Sequence, residues 1–238
     1  MVDQPLSDSL MQSIAAENNL SETAFICGKG SEYEICWFTP VCEVELCGHA
    51  TLASAHALMI GEGVACESIQ FRSRHRGSLT VTRRATFYEL DFPRSSFVQR
   101  TEDEALTECV SDSPVEFWVT GEDALLVYPD PDAIARIRVD SGLLGEQNYR
   151  ALMVTSVGQD CDFVSRFFAP SLGINEDAVT GSAHTALAPF WSERLGKRKL
   201  VARQLSQRGG DLTCEIVGDR VLIGGEAVIY STGTILIS

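Results

Sequence analysis

The chain predicts an α+β fold of two pseudo-symmetric halves, each a curved, mostly antiparallel sheet or barrel wrapped around one central helix. Two observations carry that expectation. Short strand-like runs outnumber helical ones along the whole length. Two apolar helices, one in each half, also follow a turn of small residues that acidic residues precede. The first stretch is Glu43-Val44-Glu45-Leu46-Cys47-Gly48-His49, and the second is Asn175-Glu176-Asp177-Ala178-Val179-Thr180-Gly181-Ser182-Ala183-His184. Helices apolar on more than one side need layers around them, and 238 residues at 45% apolar content suffice for two modest units. The expected division is 1–93 plus 225–238 for one half and 94–224 for the other, with Pro93-Arg94-Ser95-Ser96 as the boundary.

Element by element, Leu10 to Asn18 has helical spacing with Met11, Ile14 and Ala15 on one side, and Asn18-Asn19 stops it. Tyr33 to Phe38 reads as a strand that Pro40 ends, and Ala50 to Met59 as the first apolar helix. Strands are expected at Ser68 to Phe71, Ser78 to Thr82 and Phe87 to Phe92. In the second half, Leu106 to Cys109 reads as a short helix, and Pro129-Asp130-Pro131-Asp132 as a turn opening another near Ala133. Further strands are expected at Glu116 to Val119, Ala124 to Val127, Ala151 to Val154 and Phe163 to Phe168. The long apolar helix is expected over Val179 to Leu195, then strands at Leu200 to Leu205, Asp211 to Val217 and Val221 to Ile223, with Ala227 to Ile237 returning to the first half.

Composition narrows the function. A formal net charge of −14 without a basic stripe argues against nucleic acid, because phosphate binding needs clustered Lys and Arg. The densest arginine group, Arg72, Arg74, Arg76, Arg83 and Arg84, alternates with Ser and Thr as on the polar face of a strand pair. No apolar run is long enough to span a bilayer and the first residues carry acids rather than a basic leader, so a cytoplasmic protein is expected. Eight cysteines without C-x-x-C spacing read mostly as small buried apolar residues. Cys42, Cys47 and His49 lie close in sequence but match no common zinc knuckle. Gly61-Glu62-Gly63 follows a helix and lacks a third glycine, so it is no dinucleotide loop.

The small-residue turns supply the chemistry. First-turn N–H groups of a helix carry partial positive charge, so Thr180, Gly181 and Ser182 are suited to a substrate carboxylate, with Asp177 beside them. Two such N-termini facing each other across a cleft would serve one ligand. Ordinary N-caps on core helices would give the same pattern, and His56 and His184, a turn or more inside their helices, read as core histidines. Glu43 and Glu45 alternate as on a solvated face.

The segments Met11 to Phe25, Phe38-Thr39-Pro40, Cys47-Gly48-His49-Ala50-Thr51-Leu52-Ala53, Arg166-Phe167-Phe168-Ala169-Pro170 and Glu176-Asp177-Ala178-Val179-Thr180-Gly181-Ser182-Ala183-His184 resemble, in order and spacing, the PhzF-like phenazine biosynthesis isomerase family. Gln204-Leu205-Ser206-Gln207-Arg208-Gly209-Gly210 and Gly224-Gly225-Glu226-Ala227-Val228 extend the likeness almost to the C-terminus. The resemblance implies the two-domain fold of diaminopimelate epimerase, with the active site between the halves. It also implies isomerisation of a dihydro-hydroxyanthranilate, in which a proton leaves one ring carbon and returns at another.

Glu22 then corresponds to the proton-shuttling acid, Gly48 and His49 to the first-half site, and Asp177 and Ser182 to the second-half site. Thr180 and Gly181 complete the substrate-binding turn, and Arg208 is a weaker candidate for orienting substrate. No metal and no organic cofactor are implied; the partner is a small carboxylate. The family normally opens with a strand ahead of the first helix, whereas this sequence starts almost at that helix, so a bare edge is expected there, coverable by a homodimer or by a repacked C-terminal strand. Two rival readings stay open. One is a cofactor-independent amino-acid racemase or epimerase, for which Cys47 stands in the right place but faces Thr180 rather than a second cysteine. The other is a non-catalytic ligand-binding scaffold of the same fold.

Overall fold

The computed structural model describes residues 1–85, 87–101 and 103–236. Its strands and α-helices are numbered in chain order. β1 (Thr23–Lys29) runs antiparallel to β2 (Glu32–Phe38), and the short β3 (Glu43–Val44) folds back on β2. The chain then crosses through α2 (Gly48–His56) to β4 (Ser68–Ser73), which lies parallel to β2, and continues antiparallel through β5 (Gly77–Arg83) and β6 (Tyr88–Pro93). The second half repeats this walk. β10 (Ala151–Val157), β11 (Phe163–Ala169) and β12 (Ile174–Asp177) precede α6 (His184–Leu195), and β13 (Lys199–Gln204) returns parallel to β11 before β14 (Gly210–Val217) and β15 (Arg220–Gly225).

The final strands of the two walks, β6 and β15, pair antiparallel, with Phe92 opposite Val221, and so join both halves in one sheet. β7 (Val98–Arg100), β8 (Glu116–Thr120) and β9 (Asp123–Val127) extend the far edge, β9 running parallel to β10. The α+β architecture expected from the sequence, mostly antiparallel around two central helices, is the one observed.

Local chemistry explains where the helices begin and end. Helix α1 (Asp8–Asn18) starts at Ser7, whose hydroxyl accepts from the Leu10 N–H, and stops where Asn19 turns left-handed at φ 48°. Helix α6 is shorter than the expected span from Val179, because Thr180 to Ala183 form a tight turn instead. The His184, Thr185 and Ala186 N–H groups bond three residues back, to Gly181, Ser182 and Ala183. Pro189 inside α6 cannot donate to the Thr185 carbonyl, and that carbonyl takes the Ser95 N–H at 3.0 Å instead. A proline that would break an isolated helix therefore ties this one to the segment linking the halves.

The main core gathers side chains from both walks, with Trp37, Phe71 and Phe92 from the first and Phe163, Phe190 and Trp191 from the second. A second cluster, including Leu106, Ile134, Leu144 and Phe168, lies under α4 (Pro131–Arg136) and α5 (Ser141–Gly145). β1 keeps β2 on one side; among the described residues only the Val2 N–H meets its other edge, at the Ile26 carbonyl, 2.9 Å. Residues 226–236 form no strand, although Ala227 packs on the main core and Ile229 reaches towards Gly61; Ile237 lies outside the described residues.

Candidate active site

The two helix N-termini meet. A Cβ built on Gly48 would lie 2.9 Å from the Gly181 Cα, and one built on Gly181 would lie 3.0 Å from the Gly48 Cα, closer than side-chain carbons pack. Only glycine at both positions lets the turns touch backbone to backbone. The facing N-termini expected from the duplicated turns are therefore present. Among the described residues the N–H groups of Gly48, His49, Gly181 and Ser182 have no protein acceptor, which leaves them available to a ligand anion. The Thr180 N–H is already taken, by the Gln204 Oε1 at 2.8 Å.

Three acid–base side chains converge on this junction from three separate segments. Glu22 sits between the α1 stop and the start of β1, His49 is the second residue of α2, and Asp177 ends β12. The His49 Nε2 is 3.2 Å from the Glu22 Oε2, and its Nδ1 is 3.9 Å from the Asp177 Oδ2. The imidazole thus stands between two carboxylates whose side chains are only 9% and 5% exposed, while its own is 30% exposed. The Glu22 contact has ion-pair rather than hydrogen-bond geometry: the buried Glu22 Oε2 and Asp177 Oδ1 both lack a hydrogen-bonding partner. Buried acceptors left open are costly unless something arrives to use them.

Electrostatics follow from that packing. Burial works against a charged His49, but the adjacent Cys47, contact with Glu22 and the charge of Asp177 outweigh it and hold the imidazole well above its usual value. Burial, with Glu22 nearby, raises Asp177 above the ordinary aspartate range, against the pull of His49 and the Thr180 hydroxyl. Burial also raises Cys47, with His49 pulling the other way. His184 is fully buried, donates from Nδ1 to the Thr180 carbonyl at 2.8 Å, and is lowered to about 4 by desolvation, which makes it a neutral core histidine. His56 bonds the Tyr88 hydroxyl at 2.9 Å on the far part of α2.

The β alternation sorts the two neighbouring acids. Glu176 points away and is clamped by Arg166, Nε to Oε1 at 2.7 Å and Nη2 to Oε2 at 3.0 Å, while Arg166 also donates to the Ile137 carbonyl. Asp177 points inward and accepts from the Thr180 hydroxyl at 2.6 Å. Behind both sits Gln204, fully buried. Its Nε2 donates to the Asp177 carbonyl at 2.7 Å and lies 3.2 Å from the Thr180 Oγ1, and its Oε1 accepts the Thr180 N–H.

Gln204 was not among the site residues expected from sequence, and the signal was alternation. Leu200 and Ala202 precede it on the inward face of β13, so a glutamine there demands buried partners. Arg208 does not join the cluster. It is exposed in the loop after β13 and lines an outer groove with Ala135, Arg203 and Asp211. Ser182 lies on the wall of a cleft of about 700 Å³ between the 43–46 and 120–123 segments, a cleft that Glu22, His49 and Asp177 do not line.

Comparison with known proteins identifies the family and the fold. The PhzC-PhzF family, described as phenazine biosynthesis-like protein, matches residues 2–233. The chain belongs to the PhzC-PhzF family. An uncharacterized isomerase of Pseudomonas aeruginosa is 43% identical over 237 residues, which cover 100% of this chain and 90% of the relative. The crystal structure of a PhzF-family phenazine biosynthesis protein from Enterococcus faecalis superposes with a TM-score of 0.92 at 41% identity, over 99% of this chain and 90% of that one. A probable proline racemase from Agrobacterium radiobacter, 11% identical and covering 91% of this chain and 76% of its own, shares the fold with a TM-score of 0.60. With relatives named as isomerases, this PhzC-PhzF member is an isomerase-type protein whose fold is also that of amino-acid racemases.

Proposed function

We propose that this protein is a cofactor-independent isomerase that moves a proton between carbons of a small carboxylate substrate, such as trans-2,3-dihydro-3-hydroxyanthranilate. The observation that carries the reading is the convergence of Glu22, His49 and Asp177 on two facing helix N-termini. In this reading the free N–H groups of Gly181 and Ser182, with the Ser182 hydroxyl, hold the substrate carboxylate. Glu22, shielded from bulk water and with Oε2 free of hydrogen bonds, takes the proton from carbon and returns it one or more atoms away. A protonated His49 donates to charge that develops on the substrate, and Asp177, fixed by Thr180 and Gln204, orients His49 and faces the substrate amine. Thr180 and Gly48 act through the backbone geometry they permit; Arg208 is left a role at the rim.

The racemase alternative needs a thiol acid and a thiolate base on opposite faces of one carbon. Cys47 is raised by burial and Thr180 occupies the opposing position with its hydroxyl committed to Asp177, which favours the carboxylate-based shuttle. The test is turnover of trans-2,3-dihydro-3-hydroxyanthranilate in D2O, followed by loss of absorbance and by deuterium at the product carbon. Turnover that Glu22→Gln abolishes and Cys47→Ser preserves supports the proposal; the reverse pattern refutes it. The proposal includes a homodimeric, cytoplasmic protein, which sedimentation velocity and cell fractionation check.

A further inference from the structure

We propose that a second copy of this chain docks on the outer edge of β1 by laying its 227–236 segment there as an added parallel strand, each copy giving one and receiving one. The internal duplication shows the slot. β1 and β2 stand to α2 as β10 and β11 stand to α6, and the correspondence extends outward: α1 covers Phe25, Cys36 and Phe38 as α4 and α5 cover Leu152, Val164 and Phe168. In the second half the outer edge of β10 is filled by β9, which runs parallel to it from Ala151 opposite Asp123 to Thr155 opposite Val127. The same edge of β1 takes one backbone bond among the described residues, from the Val2 N–H to the Ile26 carbonyl. Because that carbonyl points outward, alternation turns the N–H and C=O of Ala24 outward as well, and such an edge is a template for a further strand.

Composition, charge and direction identify the occupant. Ala227 to Ser238 contains no charged residue and no proline, and Val228, Ile229, Tyr230 and Ile235 favour a strand, yet residues 227–236 belong to none. Val228, Tyr230 and Leu236 are 86%, 98% and 92% exposed. In a chain of net charge −14 most of the surface repels a second copy, whereas this segment and β1 from Thr23 to Gly28 bring no like charges together. Direction separates a second copy from the chain's own segment. Glu22, just ahead of β1, touches His49 at the start of α2, so β1 and α2 both lead away from the junction. Gly61 lies beyond the far end of α2, and the chain returns from there to β4 beside Ser31 in the β1–β2 turn, whose carbonyl accepts the Gln70 N–H at 2.8 Å. The chain's own segment, with Ile229 at Gly61, therefore meets β1 at its Lys29 end and would run against it, while the filled slot of the second half is parallel. Since Glu22 directly precedes Thr23, the added strand also steadies the segment that carries this acid. The inference gives the homodimer of the reading above its surface, and its readout is mass and amide exchange without substrate, so the two can fail separately.

The experiment combines sedimentation velocity with amide hydrogen exchange on the intact protein and on the double variant Val228→Lys/Tyr230→Lys, which charges two exposed side chains and leaves the core untouched. The wild type is expected at twice the chain mass of 26.0 kDa, with slow exchange at the Ala24 N–H. In the double variant the dissociation constant of the dimer should rise at least about tenfold and the Ala24 N–H should exchange freely. Ala24→Pro, which removes an outward N–H and leaves the ladder to β2 intact, should weaken the dimer in the same way. A wild type that is monomeric at micromolar concentration overturns the inference, as does a dimer that survives both variants. So does a monomer whose Ala24 N–H is protected, because the chain's own segment then fills the edge.

Discussion

Replacing either glycine at the helix junction by alanine should separate the two halves of the site. An added Cβ at Gly48 meets the Gly181 Cα at 2.9 Å and the Phe92 Cε2 at 3.3 Å, where ordinary contact begins near 3.4 Å. Neither obstacle swings aside, one being backbone and the other a core ring that is 0% exposed. The turns must therefore retreat by about 0.5 Å, and a gap of that order forfeits a quarter or more of each dispersion contact around it. Overpacking of this kind costs about 1–3 kcal/mol, which lowers Tm by about 2–4 °C per kcal/mol in a chain of this size.

Catalysis should suffer separately, because carboxylate-holding N–H groups displaced by about 0.5 Å lose the alignment that proton transfer needs, at a cost of tenfold or more in kcat/KM. Once one alanine has pushed the turns apart, the second has less to displace. Gly48→Ala and Gly181→Ala should then be non-additive, with the double variant less destabilised than the sum of the singles. Calorimetric Tm and steady-state kinetics on the three variants check this. Single variants with wild-type Tm, or strictly additive losses, would refute the argument that the turns are in backbone contact.

Other outcomes follow from the polar core. Gln204→Leu strands the Thr180 N–H and the Asp177 carbonyl, so stability should fall by about 2–4 kcal/mol in denaturant unfolding, and kcat should drop more than KM changes. His184, lowered from 6.5 to about 4 in the folded state, takes up its proton there only after the unfolded chain has done so. Stability from this residue is full above pH 6.5 and declines by about 3 kcal/mol down to pH 4, a slope that His184→Gln should flatten in acid titration of Tm. His49 has the opposite sign. Its raised folded value gives stability that is complete below pH 6.5 and is lost as pH rises through that value, so the Tm gap between wild type and His49→Asn should narrow on the alkaline side.

Strand positions were most legible where a strand buries one face. Ser68–Ser73 alternates exposed and buried without exception, and Lys199–Gln204 does the same. Elements stabilised from outside their own sequence were not legible. β7 is exposed throughout and exists through its pairing with β8, and β12 is a four-residue strand held by β11 and by the Arg166 clamp on Glu176. β1 was not among the expected strands, because the polar Ser21, Glu22 and Thr23 mask its start. The late start of α6 has the same origin. Val179 to Ala183 is small enough to join the apolar helix that follows, but the Thr180 N–H bond to Gln204, a residue 24 positions later, pulls that segment into a turn.

The site illustrates which part of function local sequence can carry. Glycines and small residues announce the helix N-termini because the backbone itself makes the anion site, and that information lies within five or six residues. The placement of His49 between Glu22 and Asp177 depends on β1, α2 and β12 arriving together, which is set by the parallel crossovers β2–α2–β4 and β11–α6–β13. Internal duplication resolves the difficulty in part: if two walks of the same topology pair through their last strands, the elements preceding each parallel return are brought face to face. A residue just before β1 or at the end of β12 has then a place at the junction whatever its neighbours are. The acids most conspicuous in sequence, Glu43 and Glu45, spend their charge on Arg74 and Arg76 at the surface, while Glu22, unremarkable in its segment, is the one whose oxygen is buried against the imidazole.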